Sequence, residues 1–317
     1  MVLAVASKGL SVGYEEVDGV LWAVRDVSIE VKAGETFCLA GESGSGKSTI
    51  AGAIAGILPP HTVTKGELYI NGRTVIRDET RDYEGIRGRV VTYVPQSPGA
   101  SLNPYMTIEE QFYSVLKSLY GLNKRESKER AKVYLQMVEL DPDSVLDDYP
   151  HELSGGMQQR AAIALALSTG ARILVADEPT SALDAHLRLQ IVEELSRLRR
   201  ETGVTLVFIS HDLLLAGAIC DRMAVMYAGV VAEVGGARAI LEKPLHPYTL
   251  MLVESTPRLD RRKQLKPFLG EPPKPGELTN GCPFFNRCPS RLTVCAVKMP
   301  PLMSIGGERH VACWLYE

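Results

Sequence analysis

Gly41-Glu42-Ser43-Gly44-Ser45-Gly46-Lys47-Ser48-Thr49 is the stretch on which the reading of this chain turns. Before it runs Thr36-Phe37-Cys38-Leu39-Ala40, short and apolar like a buried strand. After it, Ile50 to Leu58 reads as a helix stopped by Pro59-Pro60. Strand, glycine loop, Gly-Lys-Ser and helix is the arrangement that cradles phosphates. Glycines let backbone N–H groups turn inward and come close to phosphate oxygens. The helix that begins there favours an anion at its N-terminus. In such a loop Lys47 reaches the β- and γ-phosphates and Ser48 ligates Mg²⁺. A glycine-rich turn with a chance lysine leaves the flanking strand and helix unexplained. The stretch points to a nucleoside triphosphate, without saying what its energy drives.

The 317 residues suffice for a sizeable core and about two domains. The net charge of −3 gives no basic footprint for nucleic acid. No apolar run approaches the ~20 residues that span a bilayer. The N-terminus lacks a basic region followed by an apolar one, so no signal peptide is read and a cytoplasmic chain is expected.

Residues 1–40 read as an antiparallel β region, with Leu10-Ser11-Val12 and Trp22 to Val31 strand-like. Tyr14, standing alone, is a half-buried strand aromatic. Gly66 to Gly72 reads as a strand closed by an Asn-Gly turn, and Val90 to Val94 as a short strand leading to Gln96 and a Pro/Gly/Ser-rich loop. In residues 105–150 Ile108, Phe112, Val115, Leu116 and Leu119 recur at helical spacing, and Lys124 to Lys132 forms a solvated helix start, so this block is a helical insertion. Ser154 suits an N-cap, but a cap does not explain Gly155 and Gly156; glycines at a helix mouth suit close approach of another group, such as a second phosphate. Ile173 to Ala176 is a buried strand ending in Asp177 and Glu178, at the edge where α/β proteins place ligands. Asp177 suits Mg²⁺ held through water, and Glu178 suits a base polarising attacking water. Thr205 to Ser210 is a similar run ending in His211.

Taken in order, these motifs resemble the ATPase subunit of ABC transporters over about residues 7–255. Gly41 to Thr49 is similar to Walker A, Gln96 to the Q-loop, Leu153 to Gln158 to the signature motif, Ile173 to Glu178 to Walker B, Ser181-Ala182-Leu183-Asp184 to the D-loop, and His211 to the switch histidine. Tyr14 falls where this family stacks an aromatic on adenine. The resemblance narrows to oligopeptide/dipeptide importers through Gln96 to Pro104, Met157, His246-Pro247-Tyr248-Thr249 and a cysteine-bearing tail. Ser97 and Gly99-Ala100 depart from that group's usual Asp and Met-Thr, and Gln158 stands where arginine is common; related importers carry oligosaccharides or nickel.

The resemblance implies an α/β fold: a P-loop ABC-type nucleotide-binding domain with RecA-like core, antiparallel β-subdomain and helical subdomain, plus a small cysteine-rich C-terminal lobe. The boundaries expected are 1–255 for the ATPase domain, about 97–160 for the helical subdomain, and 256–317 for the C-terminal domain. It implies two ATPase domains sandwiching two ATPs. Ser154, Gly155 and Gly156 then act on the partner's γ-phosphate, and Lys47 and Mg²⁺ neutralise developing charge. Ser48 and Gln96 ligate Mg²⁺, Glu178 polarises water, and His211 steadies γ-phosphate and water. The implied partners are a second ATPase, a heterodimer being favoured over a homodimer, two membrane permeases, with residues 97–112 forming the groove that receives a coupling helix from the membrane subunit, and an extracytoplasmic solute-binding protein. The chain would sit peripherally on the cytoplasmic face of the membrane.

The tail is proline-rich from 257 to 301, then carries Cys282-x5-Cys288-x6-Cys295-x17-Cys313. Four cysteines this close in a cytoplasmic chain read as metal ligands before disulfides. Zinc favours CxxC knuckles, which are absent; a [4Fe–4S] cluster tolerates wider spacing, and the importer resemblance points to it as well. Zinc, disulfides and free thiols stay open beside it. Cys38 and Cys220 lie in apolar surroundings and read as core. The rival class is a non-transport ABC ATPase acting on nucleic acid or ribosomes. No long coiled coil separates Walker A from the signature, one cassette is present rather than two, and the charge is not basic, so no nucleic-acid partner is expected.

Overall fold

The N-terminal residues form the strands β1 (Leu3–Glu16), β2 (Gly19–Val27), β3 (Glu30–Lys32) and β4 (Thr36–Ala40), half-buried in β1 to β3 and buried throughout in β4. The computed structural model describes residues 2–17, 19–179, 185–255, 270–273 and 280–317. It divides into two units, Met1–Asp82 with Phe208–Glu317, and Tyr83–Val207.

In the first unit, helix α1 (Lys47–Ala55) follows β4 and ends at Gly56, whose left-handed backbone (φ 72°) lets it stop the helix. Then come β5 (Thr62–Ile70), β6 (Arg73–Arg77) and β7 (Thr80–Arg81). Asn71 (φ 48°) and Gly72 (φ 78°) supply the two positive-φ residues of a tight hairpin between β5 and β6. One sheet runs β2-β1-β5-β6-β7, with β3 also on β1, and every pairing is antiparallel.

The second unit opens with β8 (Val91–Val94), the short α2 (Pro98–Ser101), and the insertion α3 (Ile108–Tyr120), α4 (Lys124–Met137) and α5 (Pro142–Val145). Thr107 with Glu110, and Asn123 with Glu126, form capping boxes that start α3 and α4. Each such cap is worth about 1 kcal/mol. Phe112, Leu116, Ala131 and Leu135 are buried, while the charges of Lys124 to Lys132 stay at the surface. After α6 (Gly155–Ser168) comes β9 (Ile173–Asp177), parallel to β8 and buried along its whole length. Strands of parallel sheets are covered on both faces, hence the unbroken apolar run. α7 (Ala185–Thr202) and β10 (Thr205–Ser210) carry the chain back towards the first unit.

There follow α8 (Leu213–Ile219), β11 (Arg222–Tyr227), β12 (Val230–Gly236), α9 (Ala237–Glu242), α10 (Pro247–Ser255), β13 (Met303–Gly306) and β14 (Arg309–Val311). β11 lies parallel to β4 and antiparallel to β12; β14 pairs β12, and β13 pairs β14. This corrects the expectation of a separate cysteine-rich lobe. Among the described residues the C-terminal strands extend the sheet of the first unit, because β12 offers an edge whose N–H and C=O groups need partners. Glu233, fully buried on β12, then holds the guanidinium of Arg309 on β14 at 2.7 Å and accepts from the N–H groups of Leu245 and His246. The proline-rich connection expected over 257–301 lies largely outside the described residues. Cys38 on β4 and Cys220 after α8 are joined as a disulfide, with Cα atoms 5.9 Å apart.

Candidate functional site

In the first unit the glycine loop joins β4 to α1. At Gly41 φ is 147° and a Cβ would lie 2.2 Å from the Met226 carbonyl; at Gly46 φ is 97° and a Cβ would lie 2.6 Å from the Ala23 carbonyl. Both positions therefore demand glycine. Gly46 precedes α1 without any side-chain cap, and no acidic residue stands in the first turn. A helix start of that kind favours an anion. Lys47 is buried, and its ammonium donates to the carbonyls of Gly41 (2.9 Å) and Glu42 (2.8 Å), with Ser45 Oγ at 3.4 Å. The loop thus wraps around its own lysine, while Ser43, Gly44 and Ser48 face solvent and Thr49 is half-buried. Tyr14 on β1 is half-buried, with its hydroxyl 3.1 Å from the Thr49 hydroxyl, so it stands beside the start of α1. His211 follows β10 and is exposed, and Asp212 next to it caps α8 through the N–H groups of Leu214 and Leu215.

Two residues of this unit hold the loop: Tyr248, marked in sequence only as part of the His246–Thr249 importer feature, and Arg287, which no motif marked. The Tyr248 hydroxyl accepts the Glu42 N–H at 2.9 Å. Arg287 grips the Glu42 carboxylate with both Nη atoms, at 2.8 and 3.0 Å, and donates to the Tyr227 hydroxyl at 3.2 Å. Burial alone would lower the affinity of this guanidinium for its proton. Its bonds to Glu42 and Tyr227 outweigh that and raise it above the ordinary arginine value. Tyr227, Tyr248 and Phe284 pack ring on ring around it, with centroids 4.5 to 5.4 Å apart. Arg287 sits between two cysteines of the tail, in a segment whose pattern suggested only metal ligands; no spacing linked it to Glu42.

In the second unit Asp177 ends β9 and is almost fully buried, and Glu178 follows with φ 45°. A left-handed backbone on a non-glycine residue costs about 1 kcal/mol or more and tends to mark functional positions. Gln96, beyond β8, donates to Glu178 Oε2 at 3.2 Å, so the Q-loop residue and the expected base come together. Tyr93, which the sequence showed only as a strand residue, donates its hydroxyl to Asp177 Oδ2 at 3.0 Å. Burial and the Asp177 carboxylate both push its phenol well above the usual range, so Tyr93 stays a donor. Ser154 caps α6 through the Met157 N–H at 3.3 Å. Gly155 behaves differently from Gly41: among the described residues nothing lies within 4 Å of where its Cβ would be. Gly99 and Gln158, both departures from the importer pattern, face one another. A Cβ on Gly99 would meet Gln158 Oε1 at 2.3 Å, and Gln158 Nε2 is fixed on the carbonyls of Pro150 and Leu153. Ser181 to Asp184, the D-loop residues, lie outside the described residues.

The tail requires a correction. Cys282, Cys288, Cys295 and Cys313 are free and border one small cavity with Phe284 and Trp314. Among the described residues no group of histidine, cysteine, aspartate or glutamate is placed to hold a metal ion. This overturns the expected [4Fe–4S] cluster and zinc alike. Burial pushes Cys282 up to about 11 and raises Cys288 and Cys313 as well, so these sulfurs stand as thiols in the structure. The segment is held instead by the Cys282 N–H to Cys295 carbonyl bond (2.8 Å), the Trp314 indole on the Lys298 carbonyl (2.9 Å), and the buried Phe284.

Comparison with known proteins agrees with the P-loop geometry. The ABC transporter family model matches residues 24–181, and the model for the oligopeptide/dipeptide transporter C-terminal region matches residues 232–295. The dipeptide transport ATP-binding protein DppD of Bacillus subtilis is 39% identical, over 98% of this chain and 94% of its own length. The oligopeptide transport ATP-binding protein OppD of Escherichia coli is 38% identical, over 97% and 91%. Among solved structures, the dimeric ATP-binding cassette MJ0796, in a post-hydrolysis state bound to ADP and Pi, superposes with a TM-score of 0.65. It is 32% identical, covering 74% of this chain and 99% of that one. The fold is thus a P-loop ABC ATPase fold with RecA-like core and helical subdomain. Among the described residues no helix is long and apolar enough to cross a membrane. With its uncapped helix start behind a glycine loop closed on Lys47, and relatives matched along nearly the whole chain, the protein belongs to the ATP-binding, ATP-hydrolysing subunits of ABC transporters, in the oligopeptide/dipeptide importer family.

Proposed function

We propose that this chain powers uptake of di- and oligopeptides through separate permease subunits, and that its site residues divide the work of ATP hydrolysis as follows. The observation that carries the assignment is the loop closed on buried Lys47 at the uncapped start of α1. The backbone of Gly41, Glu42, Ser43, Gly44, Ser45 and Gly46 cradles the β-phosphate, Lys47 binds β- and γ-oxygens, and Thr49 and Tyr14 border the nucleoside. Ser48 and Gln96 are oxygen donors suited to Mg²⁺, with Asp177 reaching it through water; bound there, Mg²⁺ offsets charge on the transferring phosphoryl group. Glu178 orients and polarises the attacking water, and His211 steadies the γ-phosphate. Among the described residues Gly155 has no neighbour that requires glycine, which fits a surface approached by a second ATPase subunit's nucleotide. Ser154, Gly155 and Gly156 take that role, with Asp184 across the same interface. The second ATPase is a sister subunit, residues 97–112 receive a coupling helix from one of the two permease subunits, and a solute-binding protein delivers peptide to the permeases, so the chain works at the cytoplasmic membrane face. The ATPase domain occupies 1–255, with its helical subdomain at about 97–160, and residues 256–317 follow it as a C-terminal segment rather than a separate lobe.

The assembled transporter in liposomes, supplied with loaded binding protein, tests this reading. ATP hydrolysis should rise with peptide and collapse in Lys47→Ala and Glu178→Gln. Stimulation by an oligosaccharide or nickel but not peptide would reassign the cargo. Stimulation by nucleic acid or ribosomes would refute the transport role.

A further inference from the structure

Every polar group of Glu42 is engaged, and two of its four partners, Tyr248 and Arg287, come from the C-terminal part of the chain, the others being Lys47 and the Ser45 N–H. Its carbonyl accepts from the Lys47 ammonium (2.8 Å), its N–H donates to Tyr248 (2.9 Å), and its carboxylate is clamped by Arg287 (2.8 and 3.0 Å). The Arg287 side chain is 3% exposed and Glu42 22%, so the pair is shielded on the arginine side and open towards the loop. A carboxylate at this point of a phosphate-binding loop would by itself repel a triphosphate. A bidentate guanidinium both cancels that charge and fixes the side chain's orientation. Through the same residue it fixes the peptide whose carbonyl positions Lys47. The Cys282–Cys288 segment, left without a metal role, thereby acquires one: it carries the arginine.

We propose that Arg287 is a positioning residue for ATP binding, neutralising Glu42 and holding the phosphate-binding loop in its binding shape, with Tyr248 fixing the same residue's amide. This rests on the reading of the Gly41–Thr49 loop as the ATP site.

The experiment measures equilibrium binding of a fluorescent ATP analogue with Mg²⁺ to the full chain, in native protein and in Lys47→Ala, Arg287→Ala, Arg287→Lys and the double variant Arg287→Ala/Glu42→Gln. Binding by Lys47→Ala at native strength would refute the site reading itself, whatever Arg287 does. With Lys47→Ala disabled, Arg287→Ala is expected to weaken binding about tenfold or more, as misplacement of a loop by a distant contact does. Arg287→Lys, which keeps charge but loses the bidentate grip, should fall between the two. The double variant should return to within about threefold of native, because removing the carboxylate removes the repulsion. Because deleting a stranded carboxylate can also restore stability, the melting temperature is read beside affinity: affinity lost in Arg287→Ala and restored in the double variant at a melting temperature near native supports positioning, whereas affinity that only follows the melting temperature marks a merely structural arginine and overturns the proposal. Native affinity in Arg287→Ala, or a loss that Glu42→Gln does not restore, overturns the proposal. Should Arg287→Ala fail to fold, Arg287→Lys decides: weakened binding with an unchanged melting temperature supports it, and native binding overturns it.

Discussion

Replacing Arg309 by alanine tests how the C-terminal strands are attached. Glu233 is 0% exposed, and Arg309 is its only cationic partner among the described ion pairs, at 2.7 Å. Deleting one member of a buried pair strands the other charge, at about 3–5 kcal/mol. Two backbone N–H groups, of Leu245 and His246, would still serve the carboxylate, and Arg309 itself is 17% exposed. The lower end, about 3 kcal/mol, is therefore expected. In a unit of this size that lowers the melting temperature by roughly 6–12 °C. Differential scanning calorimetry should show the shift in the transition that carries β4 and β11, because β14 is hydrogen-bonded into their sheet through β12. Adding Glu233→Gln to Arg309→Ala removes the stranded charge and should recover about half of the loss. A main transition within ~2 °C of native, with only a small separate transition lost, would refute the continuous sheet and restore an independent lobe.

Tyr93→Phe removes a hydrogen bond to an ionised, buried acceptor, worth about 1.5–3 kcal/mol. In the assembled transporter kcat should fall at least about tenfold with little change in KM, and an unchanged kcat would dismiss Tyr93 from the site. His246 is buried, and burial depresses it to about 4. The unfolded chain takes up the proton first, so stability falls as pH drops from about 6.5 to 4, by up to ~3 kcal/mol. Urea midpoints at neutral and acidic pH should show that slope in native protein and lose it in His246→Gln. Glu194 has the opposite sign. Burial raises it to about 7, and its Oε1 has no hydrogen-bond partner among the described residues. The folded chain binds the proton first, so stability falls as pH rises from about 4.5 to 7. Glu194→Gln should stabilise the protein above pH 7 by about 1–2 kcal/mol, after allowing for solvent screening of a partly exposed group; a destabilised variant at pH 8 would contradict this.

Much of the fold and of the nucleotide site was written locally. A glycine loop between an apolar run and an alanine-rich helix demands particular backbone conformations of consecutive residues, and Gly41 and Gly46 adopt them. The capping residues Thr107, Asn123 and Ser154 stand where their helices begin, because a cap bonds residues two or three positions away. Asp177 and Glu178 end an apolar strand, and apolar runs of that length are legible as buried strands.

The contacts that sequence left unread join residues far apart in the chain. Glu42 and Arg287 are separated by 245 positions, Glu233 and Arg309 by 76, and Tyr93 and Asp177 by 84. No periodicity or motif spacing encodes which arginine will face which carboxylate; strand order and packing decide it. The cysteines are the reverse case. Their clustering was plain in sequence, but ligation depends on where the sulfurs converge in space. The tertiary structure buries Cys295 and Cys313 beside Phe284 and Trp314 and leaves no ligand set among the described residues. The sequence by itself determined a phosphate-binding loop, its acidic strand end and the helical insertion, because each rests on neighbours along the chain. Only the tertiary structure decided that the C-terminal segment completes the first unit's sheet and grips the loop, because those bonds form only once distant strands have been brought side by side.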